Sequence, residues 1–181
     1  MTLLHAQVTS DPKRHHFAER SDVQSLTEQL RPGTLTDVRA LQSLESRAFS
    51  SDRLSRRSFA RFLESHNASL LVVAQAEVLC GYVLVLFRSN SQTARLYSLA
   101  VDPSCRRRGL GAMLLTAAEE AARSRGAGAM RLELREDNGP AANLYQWSGY
   151  RTIKRISRYY EDGGGALRLE KPLGRARLRA G

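Results

Sequence analysis

Between residues 26 and 172 the apolar positions switch repeatedly between a period of two and a period near 3.6, with turn residues at the switches. Leu26–Arg31 predicts a short strand closed by Pro32-Gly33. Thr36-Asp37 predicts the cap of a helix with Val38, Leu41, Leu44 and Ala48 on one face. Ser55–Ser65 predicts a second helix, apolar at Phe59, Phe62 and Leu63 and charged at Arg56, Arg57 and Arg61. The apolar runs Ser69–Ala76 and Leu79–Arg88 are separated by so short a connection that they predict a hairpin. Ala94–Val101 predicts a further strand, stopped by Asp102-Pro103.

The clearest helical period is Gly109–Arg125. Leu110, Met113, Leu114, Ala117 and Ala121 follow it, and Gly126 ends it. Ala129–Arg135 predicts a strand. Asn138–Trp147 predicts a helix capped by Asn138, with Pro140 in the first turn and Gly149 just beyond the end. Tyr150–Tyr160 and Ala166–Lys171 flank Asp162-Gly163-Gly164-Gly165 and predict a closing hairpin. The resulting order, β-α-α-β-β-β-α-β-α-β-β, is that of a mixed α/β sheet with helices on both faces. Residues 1–25 have no apolar period and read as a flexible extension, whose His15-His16 pair lacks a third metal ligand nearby. Residues 173–181 read as a basic flexible tail.

Composition narrows the class. The chain has 181 residues, 42% hydrophobic and 25% charged, enough for one globular domain with a real core. The longest apolar runs, Leu70–Ala74 and Tyr82–Phe87, fall far short of the roughly 20 residues of a membrane helix. The first fifteen residues show no secretory apolar stretch, and the two cysteines, Cys80 and Cys105, form no CxxC. A reduced, cytoplasmic protein without membrane contact is expected. Net charge is +10, of which residues 26–172 carry +7 and residues 173–181 carry +3. A basic domain suits nucleic acid, the ribosome or a polyphosphorylated cofactor. Compositional bias on a solvated surface fits the charge equally well.

Candidate chemistry concentrates at Val101–Gly111. Arg106, Arg107, Arg108, Gly109 and Gly111 sit where the clearest helix begins. Free N–H groups and the helix dipole make such an end attractive to a phosphate, and glycine lets it approach closely. The sequence is neither a Walker loop nor G-x-G-x-x-G, since Leu114 stands at the last glycine position. A plain basic turn is the alternative. In the strand that follows, Met130, Leu132 and Leu134 face one way and Arg131, Glu133 and Arg135 the other. Charge on an inner strand suggests a cleft centred on Glu133, or else an exposed Arg–Glu–Arg ladder. On the next helix, Tyr145 reads by itself as a core residue.

Together these segments resemble the GNAT superfamily of acyl-CoA-dependent N-acyltransferases. Arg106, Gly109 and Gly111 meet its pyrophosphate motif [Q/R]-x-x-G-x-[G/A]. Asn138, Ala141, Leu144, Tyr145, Gly149 and Tyr150 meet N-x-x-A-x-x-L-Y-x-x-x-G-[F/Y]. Leu30-Arg31-Pro32 and Asp37 are similar to the family's opening strand and first helix. The resemblance covers about residues 26–172 and implies a mostly antiparallel central sheet of about seven strands. Within the superfamily, Leu99–Pro103, Arg107–Gly111, Leu132–Arg135 and Tyr159-Tyr160 look most like the RimI-type subfamily, which acetylates the N-terminal alanine of a ribosomal protein. That likeness implies acetyl-CoA as cosubstrate and no metal. It makes Glu133 the general base and Tyr145 the general acid, with Tyr159 and Tyr160 over the acceptor. The cofactor contacts it implies are Leu99, Val101, Arg106, Arg107, Arg108, Gly109, Leu110, Gly111, Ala112, Asn138 and Tyr145, with the Val101 N–H serving the oxyanion. The chain departs from that subfamily at Phe49–Asp52, where an aromatic loop is usual, at Arg158, and in its arginine-rich second helix.

The implied reaction is direct attack by an amine on the thioester in a ternary complex. Cys105 has no histidine close to it in sequence, which argues against an acetyl-enzyme. The implied acceptor is a protein N-terminus, possible ribosome association included. A small-molecule amine acceptor, or a non-catalytic acyl-CoA-binding module, are the alternatives.

Overall fold

The computed structural model of the protein describes residues 28–49 and 52–174. The expected extension over 1–25, with its His15-His16 pair, and the tail from residue 175 lie outside the described residues. The strands are β1 (Gln29–Pro32), β2 (Ala68–Gln75), β3 (Val78–Leu86), β4 (Thr93–Val101), β5 (Ala129–Arg135), β6 (Arg151–Ile156) and β7 (Ala166–Pro172). They form one seven-stranded sheet in the order β1-β2-β3-β4-β5-β7-β6. Every neighbouring pair is antiparallel except β4 and β5, which run parallel.

Four helices cover the sheet: α1 (Val38–Ala48), α2 (Arg56–Leu63), α3 (Leu110–Ser124) and α4 (Gly139–Trp147). Short polar side chains set the starts of α2 and α4. Ser55 Oγ accepts the Ser58 N–H at the head of α2, and Asn138 Oδ1 accepts the Ala141 N–H at the head of α4. Before α1 the chain makes one 3₁₀ turn, Leu35–Asp37, and the Asp37 carboxylate takes the Thr34 N–H (2.8 Å) and two Arg31 donors (2.7 and 2.8 Å). The Arg31 guanidinium holds the Asp37 carboxyl down to about 2.

Alternation sorts the core into two layers. Val83, Val85, Leu99, Met130, Leu132 and Leu134 pack under α3 and α4, while Leu70, Val72, Tyr82, Leu84 and Ala100 pack under α1 and α2. In the second layer Phe59 meets the Tyr82 ring edge-on, centroids 5.4 Å apart. Glu45, on the apolar face of α1, is buried there too. Its Oε2 accepts from Tyr82 Oη (2.5 Å) and its Oε1 from the Leu54 N–H (2.8 Å), and Ser98 Oγ reaches Tyr82 Oη at 2.7 Å. Burial pushes the Glu45 carboxyl up to about 7.

Two boundaries differ from the sequence expectation. The strand expected to run to Tyr160 ends at Ile156, because the chain turns at Arg158 (φ 50°) and the Tyr159 and Tyr160 N–H groups both bond the Gly164 carbonyl instead of a ladder partner. Leu173, assigned to the tail, is buried and its N–H bonds the Gly128 carbonyl.

Candidate active site

The segment after β4 is pinned from three sides. The Asp102 carboxylate accepts from the Ser104 N–H (2.9 Å), Ser104 Oγ (2.6 Å) and Arg47 Nε of α1 (2.7 Å). Burial pushes its carboxyl up, but the Ser104 and Arg47 hydrogen bonds outweigh that and hold it below the usual range. Beyond the 3₁₀ turn Pro103–Cys105 the chain enters α3 through two left-handed residues, Arg107 (φ 64°) and Gly109 (φ 78°). A Cβ added to Gly109 would meet nothing within 4 Å, so its left-handed backbone explains the glycine and leaves the helix end open. The N–H groups of Leu110, Gly111 and Ala112 begin the helix with no carbonyl one turn earlier to receive them.

Around that end, Arg106 is half-buried and Arg107 is exposed. Arg108 is tied to Gln75 Oε1 (3.0 Å) and Glu28 Oε1 (2.8 Å). The Leu110 side chain points into the core, so only its backbone faces the opening. Cys105 is buried beneath the loop and donates to Cys80 Sγ at 2.8 Å. Burial and this neighbour push the Cys80 thiol up to about 12.

The sheet opens beside this helix end. β4 and β5 pair only from Thr93–Arg95 to Ala129–Arg131 and then part. The Asp102 N–H bonds Cys80 on β3, so by the alternation of a strand the Leu99 and Val101 N–H groups face the gap.

Across the gap, β5 turns Glu133 to the α1/α2 side. Glu133 is 8% exposed, with Arg95 Nη2 donating to Oε2 at 2.7 Å and Arg168 Nε to Oε1 at 2.8 Å. The flanking arginines do not form the Arg–Glu–Arg ladder. Arg131 pairs with Glu170, and Arg135 with Asp162 (2.8 Å) and Asp137 (3.2 Å). The Tyr159 hydroxyl lies 3.4 Å from Arg95 Nη2, and burial together with Glu133 raises its pKa. Tyr160 packs edge-on against Tyr159 at 5.0 Å, under the Arg135 guanidinium. Glu133, Arg95, Arg131, Arg168, Phe62 and Phe87 contribute to the lining of a cavity of about 490 Å³.

Tyr145 lies on the opposite face, fully buried in the α3 layer, its ring 5.5 Å from Tyr150. Its hydroxyl has no partner among the described residues. Burial raises its pKa and keeps it protonated. Asn138 spends its side-chain oxygen on the α4 cap.

Sequence reasoning missed Arg95 and Arg168. Both hold polar positions in alternating strands, and Arg168 is the register partner of Glu133 on β7, but register is what a single strand does not reveal. Glu45 was also missed, although it lies four residues from Leu41 on the same helix face. Among the described residues, no group of three or more His, Cys, Asp or Glu could hold a metal ion, and no helix is long and apolar enough to cross a membrane.

The sequence matches the acetyltransferase (GNAT) family over residues 36–150, more than half of the chain. It is 30% identical over 126 residues to an N-alpha-acetyltransferase of Sulfurisphaera tokodaii, covering 64% of this chain and 75% of that protein. Its fold is similar to the crystal structure of the ribosomal-protein-S18-alanine N-acetyltransferase of Escherichia coli, with TM-score 0.75, 25% identity, and 86% and 99% of the two chains covered. A Salmonella typhimurium structure solved with its cofactor acetyl-CoA shares the fold at TM-score 0.72 and 19% identity, covering 85% of this chain and 98% of that one.

Proposed function

The chain belongs to the GNAT acetyltransferase family, whose members use acetyl-CoA, and from that premise we propose that it moves an acetyl group from acetyl-CoA to the N-terminal α-amine of a protein by direct attack in a ternary complex. One observation carries this reading. On the α3 face of the sheet stand a helix N-terminus with free N–H groups and a buried hydroxyl without a partner among the described residues, and on the opposite face stands a carboxylate-bearing cavity, while β4 and β5 part beyond Arg95 and Arg131. The similarity to ribosomal-protein alanine N-acetyltransferases adds a ribosomal protein as the acceptor's source.

The residues suit the cosubstrate. Leu110, Gly111 and Ala112 offer N–H groups, and Arg106, Arg107 and Arg108 offer charge, to a pyrophosphate. Acetyl-CoA, when bound, supplies the acyl thioester. The Leu99 and Val101 N–H groups flank the gap, where a preorganised donor to a developing oxyanion is worth about 3 kcal/mol. Glu133 takes the proton that the ammonium must lose before it can attack, directly or through one water. Each of its oxygens gives one lone pair to a guanidinium, and a carboxylate has about four such sites, so both remain able to accept. As the C–N bond forms and the C–S bond breaks, the Tyr145 hydroxyl gives its proton to the departing thiolate, and the second proton shed by the nitrogen as it becomes an amide restores that hydroxyl, leaving one net proton on Glu133 to pass to solvent. Tyr159 and Tyr160 wall the acceptor beside Glu133.

The test is thiol release from acetyl-CoA across N-terminal peptides, free amino acids and polyamines. Turnover confined to peptides is the expected result. Turnover on free amino acids or polyamines at comparable kcat/KM overturns the protein acceptor.

A further inference from the structure

The cavity beside Glu133 has a lopsided charge. Four arginines line it, Arg88, Arg95, Arg131 and Arg168, against one carboxylate, that of Glu133 itself. It runs on into a second hollow of about 230 Å³, with which it shares Asn67, Phe87, Arg88, Ser91 and Ala94, and there Arg125 joins the lining. Through those shared residues the two hollows form one groove, in which Glu133, which lines the first hollow and not the second, is the only acid among the described residues. Resting on the acetyl-transfer reading, we propose that the acceptor is an acidic N-terminus. Its α-amine docks at Glu133, and the carboxylates of its next few side chains lie among Arg95, Arg88 and Arg125.

Three of the five guanidinium groups are not fully answered by acids among the described residues. Arg88 is exposed, and its side chain makes no hydrogen bond or ion pair among the described residues. Arg125 donates Nη1 to the His66 carbonyl at 2.6 Å and lies 4.4 Å over the Phe87 ring, both neutral partners. Arg95 gives Nη2 to Glu133, but its Nε is buried with no partner among the described residues. A buried donor left unmade is costly, and a carboxylate satisfies it better than a neutral group does. Arg131 and Arg168 are bound to Glu170 and Glu133 and contribute less.

The groove therefore orders an extended peptide. Glu133 attracts the ammonium, and the uncompensated arginines line the rest of the groove along which the peptide extends. Phe62, Leu86 and Phe87 give the methylene stems of Glu side chains an apolar floor. An N-terminus followed by Lys or Arg meets like charge along the same path, which rejects it more strongly than a neutral one.

The experiment uses the full chain and three peptides beginning with Ala, followed by Glu-Asp-Glu, Gln-Asn-Gln or Arg-Lys-Arg and a common neutral tail with a C-terminal fluorophore. Thiol release and fluorescence anisotropy in the presence of CoA are measured in parallel at low and high salt. The acidic peptide should exceed the neutral one at least tenfold in kcat/KM, mainly through KM, and the advantage should shrink as salt rises. R88E, at an exposed site, should collapse or invert that ratio. Turnover with no acidic preference, or a preference that R88E leaves intact, overturns the acidic acceptor while leaving acetyl transfer standing. Tighter binding of the acidic peptide with no thiol release from any peptide overturns acetyl transfer while leaving the acidic groove standing. Absence of both overturns both.

Discussion

In the proposed reaction Glu133 takes a proton and Tyr145 gives one. Glu133 is held between Arg95 and Arg168. E133Q keeps hydrogen-bonding capacity but loses the carboxylate proposed to accept the proton. It should lower kcat on the order of 10²- to 10⁴-fold, with KM for acetyl-CoA within about twofold, as steady-state kinetics would show. Burial keeps the Tyr145 hydroxyl protonated, and it has no partner among the described residues. Y145F deletes an unsatisfied polar group, so its melting temperature should be unchanged or higher while turnover falls; thermal denaturation and kcat measured on one preparation separate the two effects. The direction of the Glu133 side chain was legible from the alternation of Met130, Leu132 and Leu134. Its guanidinium partners were not, because Arg95 and Arg168 come from strands whose register only the assembled sheet defines.

At the scale of elements, strong local signals placed the helices and strands that carry the candidate site. The period of α3 and the glycine before it gave the helix and its open end, and Asn138 and Pro140 gave the start of α4. G111D tests what that open end does. An acid in the first turn favours the helix dipole, and a Cβ there meets only Leu144 Cδ2 at 3.4 Å. The melting temperature should hold, while KM for acetyl-CoA rises about tenfold or more through repulsion of the phosphates, measured by varying acetyl-CoA at saturating acceptor. Weak signals failed where backbone turns overrode composition. Tyr159-Tyr160 continues a β-rich run, yet the left-handed Arg158 and the Gly164 carbonyl draw the pair into a loop beside Glu133.

Over the whole molecule, the Glu45 cluster ties α1 to β3, β4 and the approach to α2 through Tyr82, Ser98 and Leu54. Its folded pKa near 7 stands above the ordinary 4.5, so the stability it contributes is complete below about pH 4.5 and is lost as pH rises through about 7. Asp37 acts oppositely. Held at about 2, it contributes stability above its ordinary 3.8 that is lost as pH falls toward 2. Across pH 4.5–7 the stability of the native chain relative to E45Q should therefore decline, a difference read from urea unfolding of both at each pH. Chain order and layer count were visible in the sequence, whereas this cluster depends on where α1 meets the sheet. The parting of β4 and β5 carries a last consequence. Only three rungs of strand pairing join the β1–β4 half of the described sheet to the β5–β7 half. A molecule spanning the breach acts as a cross-brace for both, and by mass action its concentration becomes part of the resistance to unfolding.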